Sequence, residues 1–508
     1  MPYLAAGVIQ TGGATLIGQG RGAFAYPDSV NDLLQNGKMC ESKCCVACSA
    51  CTQIMRDGKK TGCVVRDSKI YGPSYREARR YAIDHLQNEA KRCRECHYPT
   101  CKDGCPARVD IPDFLKAFAD GKFKDAYMIL RKSNRLPEMC GHVCPSEEQC
   151  ELNCVESIFK GKAVPIRDIQ LAACGIARLN GWLGAELPNT KTNKKIAIVG
   201  AGPAGCAAAI RLLEYGHHVT LFEAASAIGG TPDSIIPIQR YASSADEISE
   251  ILKPAAQEKQ IEIKLNTKLG TDVKLNDLQK QFDVVILAVG TMQGQSLTKT
   301  TAAGVVDALQ FLRDVKSGKI KHIPQSVYVL GGGNTAMDAA VTAKQLGARD
   351  VSVIYRRSFQ EMPAWKRERE HAVEVGVNFH ILMQPKEYIV DHQNKLTGIK
   401  VVRTELGEPD ASGRRTPKEI EGTETVLQTN FVIEAIGQSV ADDIKKALPG
   451  IEFTKRGTVL TQKGSHKTTL SNVWAVGDLI NGGATAVQGV YEGTIAAEEI
   501  HKELKGEK

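Results

Sequence analysis

An α/β fold is predicted for this 508-residue chain, with two similar doubly wound domains after a mostly helical, cysteine-rich region. Three observations support this order. Fourteen of the sixteen cysteines lie before residue 155, and two glycine-rich turns come after them. Short apolar runs accompany those turns: "KIAIVGAGPAG", "HVTLFEA", "DVVILAVG", "SVYVLGGGNTAMDAA", "DVSVIYRR", "FVIEAIG" and "VWAVGDL". Apolar, β-branched runs between helix-like segments are typical of buried parallel strands in βαβ units.

Length, composition and charge set the broad class of the protein. A chain of this size with 42% hydrophobic residues is long enough for three or four domains with real cores. The 65 basic and 58 acidic residues leave a net charge of only +7, which favours neither nucleic acid nor membrane as a partner. We find no apolar run of about 18 residues and no leader at Met1, so we expect a cytoplasmic protein without a membrane span.

The first glycine turn has the G-x-G-x-x-G spacing of a dinucleotide site, with Gly200, Gly202 and Gly205 between an apolar strand and a helix. The first glycine permits the tight turn, the second lets the backbone approach a pyrophosphate, and the third permits close helix packing. Glu223 ends the next strand about 20 residues later, where a carboxylate accepts hydrogen bonds from ribose hydroxyls. The pattern therefore predicts a bound dinucleotide.

The second glycine turn, "LGGGNTAMD", differs at the end of its following strand. The candidate nucleotide-binding residues of the turn are Gly331, Gly333, Asn334 and Thr335. Tyr355 occupies the position equivalent to Glu223, and Arg356 and Arg357 come directly after it. Two guanidinium groups at this place would pair with a 2′-phosphate, so the site is predicted to prefer NADPH over NADH. Two solvated arginines are the alternative.

The cysteines follow metal-binding spacings. In a reducing compartment, cysteines two to five residues apart are expected to bind metal rather than form disulfides. The central group forms two sets of four: Cys93, Cys96, Cys101 and Cys105, then Cys140, Cys144, Cys150 and Cys154. Eight thiolates in two compact sets, with prolines after Cys105 and Cys144, suit two iron–sulfur clusters. Structural zinc is the alternative.

These motifs together resemble a known family. From about residue 75 onward, the cysteine region, "VGAGPAG", "GGGNTAMD", "YRR" with "EMPA", and "AVGD" resemble the small subunit of NADPH-dependent glutamate synthase and the N-terminal half of dihydropyrimidine dehydrogenase. The C-terminal "VWAVGDLINGG" resembles the second FAD-binding segment of such flavoproteins, which places Gly477 and Asp478 at FAD. The resemblance implies a helical two-cluster domain over 71–185, a discontinuous FAD-binding domain over 195–310 and 432–508, and an inserted NADPH-binding domain over 311–431.

The resemblance also implies how the cluster ligands are shared. One [4Fe-4S] cluster would be bound by Cys93, Cys96, Cys101 and Cys154. The other would be bound by Cys105, Cys144, Cys150 and a non-cysteine ligand, Gln170. The remaining Cys140, Cys174 and Cys206 are expected to be small buried hydrophobic residues.

A separate cysteine group lies in residues 1–70. Cys45, Cys48, Cys51 and Cys63 resemble the single [4Fe-4S] site of the trimethylamine dehydrogenase and 2,4-dienoyl-CoA reductase family. "LIGQGRGAFAYPDSVNDLLQNGK" resembles the closing strand and helix of that family's flavin-binding barrel, whose remainder is missing. Either a partner chain provides a barrel, or the segment serves another docking role. A plant-type [2Fe-2S] site with Cys40, Cys45, Cys48 and Cys63, zinc, or no metal are the alternatives.

The resemblance implies an NADPH-dependent oxidoreductase subunit. Hydride would be exchanged between NADPH and FAD, and single electrons would pass through the clusters to or from a protein partner. That partner would be a flavin-dependent barrel enzyme, a ferredoxin or a large catalytic subunit in a hetero-oligomer. No cysteine pair lies near either nucleotide motif, which disfavours a disulfide mechanism, and no acid–base catalyst is predicted. The alternatives are a glutamate synthase small subunit serving an amidotransferase, and a non-catalytic electron-wiring or assembly subunit.

Overall fold

The computed structural model describes residues 2–15, 20, 22–56, 60–80, 82–298, 302–410 and 413–506. The chain forms two compact units, Met1–Arg92 and Cys93–Lys508. The described helices of the first unit are α1 (Pro2–Gln10), α2 (Gly22–Ala25), α3 (Ser29–Asn36), α4 (Ala50–Arg56), α5 (Ser68–Arg80) and α6 (Ile83–Ala90), with a 3-10 turn at Glu41–Lys43. Helix α5 runs across residue 70, where the sequence predicts a domain boundary, and the first compact unit extends to Arg92.

The second unit begins with the cysteine-rich helical region. Its helices are α7 (Thr100–Asp103), α8 (Ile111–Ala119), α9 (Phe123–Ser133), α10 (Pro137–Val143), α11 (Glu156–Lys160) and α12 (Ile166–Leu179), with a 3-10 turn at Ser146–Glu148. Helix α8 shows why the region is helical: Ile111, Phe114, Leu115 and Phe118 recur at helical spacing and are all buried. They form the core between the helices.

A five-stranded parallel sheet follows, in the order β16-β4-β1-β2-β3. Its strands are β1 (Lys195–Val199), β2 (His218–Phe222), β3 (Ile261–Lys264), β4 (Val284–Leu287) and β16 (Val473–Ala475). The associated helices are α13 (Pro203–Glu214), α14 (Thr231–Ser234), α15 (Ala245–Gln257), α16 (Leu275–Gln281), α20 (Asp442–Lys446), α21 (Asp478–Asn481) and α22 (Ala486–Lys505). The central strands β1 and β4 are mostly apolar and buried, as expected for a parallel sheet with both faces covered.

A second parallel sheet has the order β6-β14-β7-β8-β9, so its main strands repeat the arrangement of the first. The strands are β6 (Val305–Asp307), β7 (Ser326–Leu330), β8 (Asp350–Tyr355), β9 (Asn378–Ile381) and β14 (Val432–Glu434). The helices are α17 (Ala308–Lys316), α18 (Asn334–Gln345) and α19 (Lys366–Glu374). Among the described helices of both units, none is long and apolar enough to cross a membrane.

The second sheet extends beyond both predicted bounds of the inserted domain, which stay a prediction. Strand β6 lies before the predicted start at 311, and β14 lies after the predicted end at 431, yet both belong to the second sheet. The chain instead crosses between the sheets at β5 (Gln293–Gly294) and β15 (Gln438–Ser439), which pair antiparallel. A short apolar strand carries no sequence signal for which of two neighbouring sheets it joins, so the sequence alone does not assign β6 and β14 to a sheet.

The polar stretch over residues 405–425, whose turn-forming residues predict a solvent-exposed hairpin loop, contributes to an antiparallel sheet beside the second domain. Its strands are β10 (Met383–Val390), β11 (Leu396–Pro409), β12 (Arg415–Glu419) and β13 (Thr425–Gln428). Strand β11 pairs with the other three. The hairpin is therefore present, and its strands are hydrogen-bonded where a loop was expected.

Candidate nucleotide and iron–sulfur sites

In the first glycine turn, the first and third glycines are packed against backbone, whereas the second has free space beside it. A Cβ at Gly200, whose φ is 107°, would overlap the carbonyl oxygen of Ala288, and one at Gly205 would overlap that of Gly200. A Cβ at Gly202 would come no closer than 3.9 Å to the Cα of Gly230. The space beside Gly202 is therefore free for a ligand at the N-terminus of α13, where backbone N–H groups and the helix dipole favour a phosphate.

Glu223 is fixed beside this turn. Its Oε2 accepts the backbone N–H of Ala201 at 2.7 Å, and its Oε1 accepts that of Ala225 at 2.8 Å. Two backbone donors hold the carboxylate at the end of β2 and leave each oxygen a further lone pair. This geometry suits the predicted contact with a ribose, which stays a prediction.

Gly477 and Asp478 form the turn between β16 and α21. Gly477 has a φ of 71°, and Oδ1 of Asp478 accepts the backbone N–H of Ala484 at 3.1 Å. Burial raises the pKa of Asp478 above its usual range. The carboxylate thus lies close to the start of α22, as the predicted ribityl contact requires.

Glu492 supports this turn and was not predicted from the sequence. It is buried on α22, and its Oε2 accepts the backbone N–H of Gly477 at 2.8 Å. The side chains of Asn481 and Gln488 also donate to its carboxylate, at 3.2 and 3.0 Å. The sequence signal that could have identified Glu492 is an acidic residue on the mostly small and apolar buried face of α22.

The second glycine turn repeats the geometry of the first. A Cβ at Gly331, whose φ is 127°, would overlap the carbonyl oxygen of Ala435, whereas one at Gly333 would meet nothing within 4 Å. Asn334 opens α18, and its Oδ1 accepts the backbone N–H of Trp365 at 2.9 Å. Thr335 follows it and is half-buried. The middle of this turn is also open to a ligand.

The structure separates the two predicted phosphate-binding arginines. Arg357 is buried, with Nε donating to the carbonyl of Arg415 at 2.7 Å and Nη2 to Oδ2 of Asp410 at 2.8 Å. Arg356 is exposed, and its guanidinium binds no acceptor within the described residues. Arg356 is therefore the one available to a 2′-phosphate, while Arg357 holds the β11–β12 hairpin against β8.

The first set of cysteine thiols surrounds one space. Cys93, Cys96, Cys101 and Cys154 line a cavity of about 20 Å³, together with apolar residues such as Ile111. Burial and the neighbouring thiols of Cys154 and Cys93 raise the pKa of Cys101 to about 12. These are the four residues that the family resemblance assigns to one cluster, so the chain brings them together although Cys154 is distant in sequence.

The second set lies around Cys144. Cys140 hydrogen-bonds to its thiol, and Cys105 and Cys150 interact with it electrostatically; the Cys140 bond and burial raise the pKa of Cys144 well above its usual range. Burial also raises the pKa of Cys150 well above that range. Cys140 is buried as expected, but it belongs to this thiol group and is not an isolated packing residue.

Gln170 on α12 makes a hydrogen bond through its side-chain nitrogen, and its role as a cluster ligand stays a prediction. Its Nε2 donates to the carbonyl of Pro137 at 2.6 Å, so its Oε1 remains as the acceptor that could bind iron. Pro137 begins α10, which leads directly to Cys144. Within the described part of the chain, no three Cys, His, Asp or Glu residues form a group tight enough for a single metal ion. Thiols spread around a shared space fit a polynuclear cluster.

The cysteines of the first unit have mixed environments. Cys45 and Cys48 are exposed, Cys51 is buried and Cys63 is half-buried. The backbone N–H of Ala47 donates to Sγ of Cys45 at 3.4 Å. The backbone N–H of residue 66 donates to Sγ of Cys63 at 3.3 Å. The cluster predicted at these four cysteines stays a prediction.

Two protein-family models match this chain. The family model described as pyridine nucleotide-disulphide oxidoreductase matches residues 194–493. A second, described as dihydropyrimidine dehydrogenase domain II with a 4Fe-4S cluster, matches residues 74–182. The two matches cover the paired doubly wound domains and the cysteine-rich helical region.

Curated relatives match over most of the chain. The glutamate synthase [NADPH] small chain of Escherichia coli is 36% identical over 428 residues, 81% of this chain and 90% of the relative. That of Azospirillum brasilense is 32% identical over 451 residues, 84% of this chain and 90% of the relative. The NADP(+)-dependent formate dehydrogenase subunit beta of Moorella thermoacetica is 36% identical over 430 residues, 80% of this chain and 60% of the relative.

Solved structures agree on the fold. A mutant of FprA from Mycobacterium tuberculosis superposes with a TM-score of 0.51 at 19% identity, covering 62% of this chain and 87% of that one. The fold class, the family and the enzyme class expected from the sequence are confirmed. The chain belongs to the pyridine nucleotide-disulphide oxidoreductase family, as an oxidoreductase that joins a FAD- and pyridine-nucleotide-binding module to a 4Fe-4S domain.

Proposed function

We propose that this chain is an NADPH:acceptor oxidoreductase subunit that exchanges hydride between NADPH and FAD and moves single electrons between FAD and a protein partner. One observation carries the proposal. Two glycine turns of the same open geometry lie in one compact unit with a cavity lined by four cysteine thiols. When bound, the flavin supplies hydride chemistry and the clusters supply one-electron chemistry.

The first domain would hold FAD. Gly202 leaves room for the pyrophosphate, and the fixed carboxylate of Glu223 would accept the ribose hydroxyls. Asp478, held by Glu492 through the Gly477 turn, would bind the ribityl chain. These groups bind and orient the cofactor, and no proton-transferring side chain is required of them.

The second domain would hold NADPH. Gly333 leaves the same room for a pyrophosphate. The Tyr355 ring lies against this turn, because a Cβ at Gly332 would be only 2.6 Å from it. Tyr355 occupies the position that Glu223 has in the first domain, and a carboxylate at this position would repel a 2′-phosphate. Arg356 would pair with that phosphate through charge-assisted hydrogen bonds.

Three clusters are proposed: two on the central cysteines with Gln170, and one [4Fe-4S] cluster on the N-terminal group. The relatives named as glutamate synthase small chain and formate dehydrogenase subunit beta are parts of larger enzymes, which supports a redox partner for this chain. We favour a flavin-dependent barrel enzyme or a ferredoxin within a hetero-oligomer, because the N-terminal cysteine group lies outside both matched family regions. An amidotransferase large subunit is the second candidate.

The test is anaerobic reduction of the purified protein with NADPH, followed by flavin absorbance and by EPR of the reduced clusters. We expect flavin bleaching with NADPH and much slower bleaching with NADH. Flavin that dithionite reduces but neither nucleotide reduces would exclude the proposal and favour a non-catalytic wiring role.

Cluster number is tested separately by iron and sulfide analysis of wild type and Cys48→Ser. About twelve irons in wild type and about eight in the variant are expected, at four irons per cluster. Cys174→Ser, at a buried cysteine outside the proposed ligand sets, is the control and should keep the wild-type count. An unchanged count in Cys48→Ser would remove the third cluster from the proposal.

A further inference from the structure

One segment of the first domain reaches into the second. We call residues 229–241, between β2 and α15, the bridging segment. It starts on the first glycine turn, where the backbone N–H of Gly229 donates to the carbonyl of Ala201 at 2.8 Å. A Cβ at Gly230 would lie only 2.7 Å from the Cα of Gly202. The segment therefore begins against the backbone that faces the proposed FAD pyrophosphate.

The middle of the bridging segment is buried in the second domain. Ile235 is 4% exposed and lies in one apolar core with Phe311 and Met337 of that domain. The Nζ of Lys316, at the end of α17, donates to three carbonyls of the segment. These are Pro232 at 3.0 Å, Ile236 at 2.7 Å and Tyr241 at 3.1 Å. Such a cage fixes the path of the backbone as well as its distance from α17.

An ion pair completes the connection. Nη1 of Arg240 donates to both carboxylate oxygens of Asp338, each at 2.8 Å, and its Nη2 lies 3.4 Å from Oε1 of Glu368. Asp338 is on α18, the helix that opens at the second glycine turn. The pair is largely shielded from solvent, so removing one partner leaves a poorly solvated charge on the other.

Hydride transfer demands this kind of connection. Reacting atoms must approach to about 3–3.5 Å in alignment, and a misplacement of about 1 Å can cost about 100-fold in rate. Domains joined through modest interfaces move relative to one another by default. The chain crosses between the two domains at β5 and at β15, and these two strands pair with each other over only two residues. Other contacts must therefore fix the orientation of one domain relative to the other.

The structure assigns to Arg240, Asp338 and Lys316 the role of positioning residues that lock the two dinucleotide domains in the orientation needed for hydride transfer. The assignment rests on the proposed function, since it concerns the step between NADPH and FAD. These side chains act through the bridging segment and do not themselves take part in bond making. A merely stabilising ion pair would lower the melting temperature and leave the hydride-transfer rate unchanged.

The experiment is anaerobic stopped-flow reduction of the flavin by saturating NADPH in the FAD-loaded full chain. Arg240→Gln and Asp338→Asn should each lower the limiting rate by about 10- to 100-fold, with little change in the NADPH concentration for half-saturation. The double variant should be no slower than the slower single variant, because both changes break the same contact. Arg240→Lys should recover part of the rate.

The control is Lys386→Gln, which breaks the Lys386–Glu419 ion pair, also 2.8 Å long, on the antiparallel sheet. It should keep the wild-type rate. Amide hydrogen exchange over residues 231–241 should accelerate in Arg240→Gln and Asp338→Asn but not in the control. Hydrogen exchange is measured independently of activity. If Arg240→Gln or Asp338→Asn prevents FAD loading, Lys316→Met provides a third variant.

The outcomes separate the two proposals. Wild-type flavin that NADPH does not reduce would contradict the proposed function. Wild-type reduction together with unchanged rates in every FAD-loaded variant of the three positions would overturn the lock alone. Slower rates with accelerated exchange in the bridging segment would support it.

Discussion

The two dinucleotide domains show how one arrangement of strands is adapted to two nucleotides. Their main strands follow the same order, and each first glycine packs against a carbonyl that follows a neighbouring strand, Ala288 after β4 in one domain and Ala435 after β14 in the other. They differ at the ends of the corresponding strands β2 and β8. Glu223 presents a fixed carboxylate there, whereas Tyr355 covers the turn and Arg356 is exposed.

This difference teaches that the fold sets where a nucleotide lies and a few side chains set which one it is. The glycine turns are geometric requirements of close backbone packing and are alike in both domains. The charge at the strand end is free to vary because it faces the ligand and not the core. Substitutions at four positions probe these shared and divergent features of the two domains.

The first change tests the shared geometry. Gly331→Ala would place a Cβ against the Ala435 carbonyl at a φ of 127°, so we expect a loss of about 3 kcal/mol in unfolding free energy. Gly333→Ala, in open space at the same turn, should cost less than about 1 kcal/mol. Denaturant unfolding of both variants provides the measurement. Equal costs would contradict the inferred turn geometry.

The second change tests the carboxylate of the first domain. Glu223→Ala removes a charged acceptor and frees two backbone donors, so FAD affinity should fall by about 10- to 100-fold, or about 1.5–3 kcal/mol. Equilibrium dialysis of FAD measures the loss. Tyr355→Phe at the equivalent position of the second domain is the control and should keep FAD affinity. A normal affinity in Glu223→Ala would rule out the ribose contact.

The third change tests the arginine of the second domain. Arg356→Gln should raise the half-saturating NADPH concentration by about 10-fold and leave that for NADH unchanged, since only NADPH has the 2′-phosphate. Arg349→Gln, at an exposed arginine next to the opposite end of β8, should alter neither. Steady-state reduction of an artificial acceptor gives both values. An equal effect on the two nucleotides would show that Arg356 does not read the phosphate.

The fourth change concerns a contact between the first domain and the cluster region that has no counterpart in the second. Glu247 on α15 accepts the backbone N–H groups of Glu138 and Met139, and burial raises its pKa to about 7. The folded state therefore holds a proton that the unfolded state releases, so stability should fall between about pH 5 and 7. The limiting slope is about 1.4 kcal/mol per pH unit.

Unfolding measured across that pH range should show a flatter profile for Glu247→Gln. Glu250→Gln is the matched control, because this carboxylate lies on the same helix but is exposed. It should keep the wild-type profile. A Glu247→Gln profile as steep as wild type would mean that another group is responsible for the slope.

The sequence predicted the parts of the fold whose signal is local. Continuous apolar runs identified β1, β2, β4, β7, β8, β14 and β16 because these strands are buried on both faces. The edge strand β3 was missed, since only its first residue is buried, and the strands β10, β12 and β13 contain no buried residue. Spacing likewise identified the glycine turns and the cysteine sets.

Contacts between distant parts of the chain were beyond reach of the sequence. Nothing near Arg357 indicates that Asp410 will hold it, and nothing near Arg240 indicates Asp338. Glu492 and the Cys140–Cys144 contact depend in the same way on tertiary packing. Motifs therefore predicted the candidate ligand sites, while the supporting side chains became visible only in the folded structure.

The central claim is that the two domains pass hydride from NADPH to FAD and that the cysteine region then takes the electrons. Its most direct test is a single anaerobic mixing of the wild-type protein with a small excess of NADPH, followed by flavin absorbance and freeze-quench EPR. We expect the flavin to bleach first and the EPR signals of reduced clusters to rise afterwards. Flavin that stays oxidised with NADPH, while dithionite reduces it fully, would contradict the account.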